Sequence, residues 1–113
     1  MTAEAHPDRG PADLGHGDVW WADLDKIRPV VVLTRRRVAP RLTRILVAPV
    51  TSTVRGLSTE VALGAAEGLR PDCVASMDNI QLIPVRILLK RAGRVAPQRW
   101  TEFCQAMAAV IAC

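Results

Sequence analysis

The 113-residue sequence contains no tyrosine, one phenylalanine and three tryptophans, so aromatic side chains make up only 4% of it. Its core must be largely aliphatic, and each tryptophan needs a reason for its position. No apolar run reaches the ~20 residues that a membrane-crossing helix needs. The first sixteen residues have neither a basic start nor an apolar stretch, so no secretory signal is read there, and the expected location is the cytoplasm without membrane attachment. The three cysteines, Cys73, Cys104 and Cys113, follow no CxxC spacing and have no histidine beside them. A metal site and a disulfide framework are therefore both disfavoured, and two packed thiols and one at the chain end are expected. The two histidines, His6 and His16, both precede the first patterned segment. If the fold starts at Gly17, it contains no histidine, which excludes Ser-His-Asp and Cys-His catalysis. No glycine-rich phosphate loop, HExxH pair or nucleophile elbow occurs, and no cofactor is expected.

Half of the residues are hydrophobic and 23% are charged, the composition of one globular domain. Residues 1–16, rich in Gly, Pro, Asp and Ala, read as a flexible N-terminal segment, and residues 17–113 as a single domain. The net charge is +4, and from residue 17 onward fourteen basic residues face eight acidic ones. Thirteen of the fifteen basic residues are arginine, whose planar fork of donors suits phosphate. A polyanionic partner is one reading; the arginine preference of a GC-rich coding sequence is the other.

From Gly17 the pattern is that of β-structure. Asp18–Leu24 alternates, with Trp20, Ala22 and Leu24 on one face and Val19, Trp21 and Asp23 on the other. Trp20 is expected in the core. Trp21 either faces a partner or is half-buried without one. Arg28–Arg35 carries a β-branched run after Pro29, which fits the first residue of a strand. Further strands are predicted over Arg41–Val50, Thr59–Leu63, Cys73–Met77, Ile80–Ile83 and Leu88–Val95, with a loop at Gly64–Pro71. Pro97 opens a helix whose predicted apolar stripe is Trp100, Phe103, Cys104, Met107, Val110 and Ile111. The fold class is mainly β with a C-terminal helix, a small barrel or sandwich, and the apolar C-terminal segment suggests a dimer.

Two features carry chemistry: Arg28-Pro29 opening a buried strand, and Thr51-Ser52-Thr53 following the apolar run ILVAPV. Each alone is also ordinary strand-end chemistry. Taken in order, however, GDVWWADLD, RPVVVLT, ILVAPVTST and CVASMDNIQLIP, followed by a helix, resemble the MazF/PemK family of toxin endoribonucleases. The resemblance implies a small SH3-like (CcdB/PemK-like) barrel, a homodimer, and metal-independent cleavage of single-stranded RNA at short recognition sequences. It also implies a cognate antitoxin peptide lying across the dimer groove. The family's catalytic Arg and Thr fall on Arg28 and Thr51, and its Asp-Gln-Ile segment on Asp78-Asn79-Ile80. The family's longer loop before Arg-Pro, with its Gly-Ser-Glu, is here reduced to Lys26 and Ile27.

The residues suit that chemistry in their own right. Arg28 can grip phosphate oxygens bidentately, and the Thr51 hydroxyl can hold a further oxygen or orient a 2′-OH. A guanidinium is a poor base, so the general base is not identified. For reading splayed bases, Trp21 offers a stacking face, Asn79 and Gln81 offer amides, and Ser52 and Thr53 offer hydroxyls. Arg35, with Arg36 and Arg37, either follows the RNA backbone or is a solvated loop. The alternatives are a non-catalytic CcdB-like gyrase poison, in which the Arg-Pro and Thr-Ser-Thr pair has no evident purpose, and an SH3-like binding module that lost activity with its loop.

Overall fold

The computed structural model describes residues 8–112, so His6 and Cys113 lie outside the described residues. Seven strands are present: β1 (Asp18–Asp23), β2 (Ile27–Val32), β3 (Arg44–Thr51), β4 (Glu60–Leu63), β5 (Cys73–Ser76), β6 (Gln81–Pro84) and β7 (Leu88–Arg94). One helix, α1 (Trp100–Val110), follows a 3₁₀ turn opened by Pro97. All pairings are antiparallel, in the order β4-β5-β3-β2-β1-β7, and β6 adds to β3. β3 is the spine: Arg44–Val47 pair with β6, while Val50 and Thr51 pair with β5. The predicted all-strand architecture with a closing helix is therefore present.

The ladder itself does not close among the described residues, because the end strands β4 and β7 do not pair. Their flanks meet through backbone instead. A Cβ placed on Gly68, after β4, would lie 2.0 Å from the carbonyl oxygen of Ala92 in β7, and one on Gly93 would lie 2.4 Å from the Glu67 carbonyl oxygen. Only glycine permits that approach.

Both faces of the sheet are covered, which explains the uninterrupted VVV of β2. Val31 joins Val19, Ala48, Val50, Met77 and Phe103 in one cluster, while Val30 and Val32 join Ala22, Ile45, Val47 and Ile83 in the other. The adjacent tryptophans follow this alternation: Trp20 packs on the second cluster and Trp21 on the first, each half-buried. Trp21 thus shares its face with core residues as much as with Asp23.

Two expectations change. The helix buries Phe103 and Ala106 and rests Trp100 and Met107 on the first cluster, whereas Cys104, Val110 and Ile111 are exposed. The contact line runs from Trp100 through Phe103 to Ala106 and Met107, which leaves Cys104 on the outward side and the final turn in the open. The second concerns the N-terminal segment. Leu14, inside the stretch expected to be flexible, is completely buried in the second cluster. The Arg36 backbone N–H donates to His16 Nδ1 at 3.3 Å, and the His16 ring lies 5.0 Å from Trp100. Arg36 also donates to the carbonyl oxygens of Asp13 and His16. His16 is therefore part of the folded domain. The signal missed was a lone leucine beside polar residues that only distant arginines satisfy.

Candidate active site

Arg28 and Thr51 come from strands that are neighbours in the sheet. Arg28 is the second residue of β2, opposite Ala22, and Thr51 ends β3, opposite Val74 of β5. The Thr51 Oγ1 accepts a hydrogen bond from the Thr53 N–H at 3.1 Å, a local turn that fixes its rotamer. The Arg28 Nε donates to Asp25 Oδ1 at 3.3 Å across the β1–β2 turn. The two terminal guanidinium nitrogens of Arg28 have no hydrogen-bond partner among the described residues. The Lys26 backbone N–H and then the Arg28 guanidinium hold the Asp25 carboxyl below the usual carboxylate range, so it stays ionised beside Arg28.

Two cavities meet here. The first, of about 360 Å³, is lined by Arg28, Thr51, Thr53, Asp78, Asn79 and Gln81 together with Asp25, Arg55, Glu60 and Ser76. The second, of about 540 Å³, is lined by Trp21, Arg28, Thr51, Ser52 and Thr53 together with Lys26, Leu69, Arg70 and Cys73. Arg28, Thr51 and Thr53 line both, and so form a ridge between them. The two sides differ in character. Three carboxylates, Asp25, Glu60 and Asp78, border the first cavity, and the second has none. The Asn79 amide nitrogen donates to Ser76 Oγ at 2.8 Å, and Asp78 accepts from the Thr59 hydroxyl. Both residues are exposed and line the first cavity. Cys73 is buried and its Sγ donates to the Leu63 and Arg70 carbonyl oxygens at 3.4 and 3.2 Å. Burial pushes its thiol pKa up, which disfavours the thiolate.

Residues 16–111 match the sequence profile of the PemK-like, MazF-like toxins of type II toxin–antitoxin systems. The chain belongs to that family. Among its relatives, a probable endoribonuclease MazF5 of Mycobacterium tuberculosis is 41% identical over 100 residues, spanning 86% of this chain and 92% of the relative. An endoribonuclease MazF3 of Mycobacterium tuberculosis is 54% identical over 72 residues, covering 64% of this chain and 70% of the relative. The solved Mycobacterium tuberculosis toxin MazF-mt6 superposes with a TM-score of 0.80 at 43% identity, over 82% of this chain and 94% of that one. A mycobacterial endoribonuclease solved in complex with its cognate antitoxin shares the fold, with a TM-score of 0.77 at 23% identity over 86% of this chain and 93% of that one.

Of the residues singled out from the toxin's sequence, the structure brings together Trp21, Arg28, Thr51, Ser52, Thr53, Asp78, Asn79 and Gln81 around the two cavities. Arg35 is not among them. It lies three residues beyond the end of β2, and Arg28 is at that strand's opposite end. Its carbonyl oxygen accepts from the Val38 and Ala39 N–H groups at 3.1 and 3.0 Å. Arg36 of the same run is tied to Asp18 at 3.3 Å. Sequence reasoning missed Arg55, Glu60 and Arg70. Glu60 organises the loop that follows Thr51: its carboxylate accepts from the Arg55 and Leu57 backbone N–H groups, each at 3.1 Å. The cue was a glutamate opening a short strand after a loop rich in small polar residues.

Proposed function

We propose that this toxin, an endoribonuclease of the MazF type, cuts single-stranded RNA at short recognition sequences without a metal ion. The observation that carries the reading is the ridge of Arg28, Thr51 and Thr53 between two cavities of opposite character. A single strand passing from one cavity to the other sets a phosphate on that ridge, with one nucleotide on either side. The 2′-OH attacks the adjacent phosphorus, and the 5′-oxygen of the next nucleotide leaves with a proton. The products are a 2′,3′-cyclic phosphate and a 5′-hydroxyl. Charge gathers on the non-bridging oxygens in the transition state, and fixed donors aimed there lower the barrier. The free guanidinium nitrogens of Arg28 supply such donors, held in place by Asp25 through Nε. Thr51, locked by the Thr53 N–H, presents its hydroxyl to a further oxygen or to the 2′-OH.

Asn79, Gln81 and Asp78 face the first cavity, where acceptors and amides read the edges of a base and Thr53 adds a hydroxyl, while Ser52 lines the second. Trp21 offers a stacking face in the second. The working form is a homodimer in the cytoplasm, neutralised by an antitoxin peptide across the dimer groove. The antitoxin-bound relative supports that partner, and the exposed Val110 and Ile111 leave apolar surface for a second copy. No helix among the described residues is long and apolar enough to cross a membrane.

The test is cleavage in EDTA of a long single-stranded RNA beside the same sequence as DNA, with Arg28→Ala as control and fragment ends mapped. RNA-only cuts bearing cyclic phosphate, absent with Arg28→Ala, are expected. Equal cutting by the variant, or none by the folded wild-type protein, would refute the assignment.

A further inference from the structure

The second cavity has a cationic rim that the catalytic pair does not use. Arg70 and Lys26 line it, and neither side chain has an ion-pair or hydrogen-bond partner among the described residues. This sets them apart from Arg36, Arg91, Arg94 and Arg99, all engaged by carboxylates. The backbone that carries Arg70 is rigid. The Glu67 carboxylate accepts from the Gly64 N–H at 2.8 Å and pairs with Arg99 at 3.4 Å. The Leu69 N–H donates to the Gly64 carbonyl oxygen at 3.0 Å, and the Gly68 backbone lies against β7. Past Arg70, the Cys73 thiol donates to its carbonyl oxygen. Lys26 projects from the β1–β2 turn, whose Leu24 N–H donates to the Lys26 carbonyl oxygen at 3.2 Å. Two free cations thus stand on fixed backbone around a cavity bordered by no carboxylate.

We infer that this cavity is a nucleotide subsite in which Arg70 and Lys26 hold the RNA phosphate one step beyond the scissile one. Its wall of Trp21, Val50 and Leu69 takes that nucleotide's base by stacking and apolar contact, which accept any base. The proposal rests on the ribonuclease reading and adds a division of labour to it. The carboxylate-bordered cavity discriminates bases through their amino groups. The cationic cavity grips the backbone and is indifferent to sequence, since phosphate contacts position and base contacts specify. The lining charges favour an anion on the second side, where Arg28, Lys26 and Arg70 face no carboxylate, over the first, where Arg28 and Arg55 are offset by Asp25, Glu60 and Asp78.

The experiment measures binding of a labelled single-stranded RNA, carrying a 2′-deoxy sugar at the mapped cut, across a salt series. Wild type, Arg70→Ala, Lys26→Ala, their double variant and the remote Arg86→Ala are compared, with melting temperatures verifying folding. Arg70→Ala and Lys26→Ala should each flatten the slope of log affinity against log salt, and the double variant by about 0.7, the share of the one phosphate they hold. Both single variants should also raise KM several-fold for cleavage of unmodified RNA with little change in kcat, and Arg86→Ala should match wild type. A methylphosphonate at the phosphate beyond the cut should weaken wild type, weaken Arg70→Ala less and leave the Arg70→Ala/Lys26→Ala double variant unchanged, while changing the base there should have little effect. Unchanged slopes in both folded variants, with wild type cutting RNA normally, would overturn the subsite alone. A wild-type protein that neither binds nor cuts RNA would overturn the ribonuclease reading and the subsite with it.

Discussion

At the residue scale, the fork of Arg28 matters as much as its charge. Its Nε is engaged by Asp25, and only a guanidinium then has two further nitrogens to present in one plane. Arg28→Ala is expected to slow single-turnover cleavage by on the order of 10²–10³-fold, the usual loss for one preorganised transition-state donor. Arg28→Lys, which keeps the charge without the fork, should recover little of that loss, and full recovery by lysine would show that a point charge suffices. Asp25→Asn leaves a weaker acceptor beside Nε and should cost less than Arg28→Ala. The places of Arg28 and Thr51 at the ends of neighbouring strands were legible because the strand patterns are readable, whereas their proposed roles came from the order of motifs that resembles the family. Arg55, Glu60 and Arg70 were not legible, because the loops that carry Arg55 and Arg70 and the start of β4 that carries Glu60 reach the cavities through tertiary contacts. Nothing in local spacing distinguishes Arg70 at the cavity from Arg35 away from it.

At the element scale, the loops after β3 and β4 each contain a glycine in the left-handed region, and the two differ in surroundings. Gly68 has φ +80° and its added Cβ would meet the Ala92 carbonyl oxygen at 2.0 Å, while Gly56 has φ +72° and nothing within 4 Å. Gly56→Ala should therefore cost only the left-handed strain of ~1–2 kcal/mol. Gly68→Ala adds a clash with backbone that cannot rotate away, and a loss on the order of 4 kcal/mol or failure to fold is expected. Urea unfolding of both variants checks this, and equal losses would mean that the contact between the β4 loop and β7 yields easily. The strands themselves were legible within a few residues because β-branched runs mark them, although Pro29, expected to open its strand, is the third residue of β2. The helix face was less so. With apolar or small residues on nearly every side of Phe103–Val110, periodicity alone does not choose between Cys104 and Ala106. Packing of Phe103 against the sheet chooses Ala106.

At the scale of the whole molecule, the arginines divide into those that hold the fold and those free to meet a polyanion. Asp18 is fully buried and is met by Arg36 at 3.3 Å, Arg91 at 3.4 Å and Arg94 at 3.1 Å; its Oδ2 also accepts from the Gly15 N–H at 3.0 Å. Arg91 and Arg94 reach on to Asp13, and Arg91 lies 5.1 Å from the Trp20 ring centre. This network fastens the N-terminal segment to β7 and to the turn after β2. Asp18→Asn leaves three guanidinium groups around a neutral side chain and should destabilise by about 3–5 kcal/mol, as breaking a buried charge pair does. The outer carboxylate gives a pH signature of definite sign. Hydrogen bonding from Arg91, with the charges of Arg91 and Arg94, holds the Asp13 pKa below its ordinary value, whereas in the unfolded chain it returns to ~3.9. Its contribution is therefore complete above about pH 4 and is lost as pH falls through the lowered folded value. Thermal melting from pH 2 to 7 should show the wild type losing stability on that acid limb more steeply than Asp13→Asn, with the two curves parallel at neutral pH. Hydrogen exchange at Leu14 and Gly15 should rise over the same range. Identical acid limbs would mean that the arginines hold the segment through Asp18 and backbone carbonyls alone.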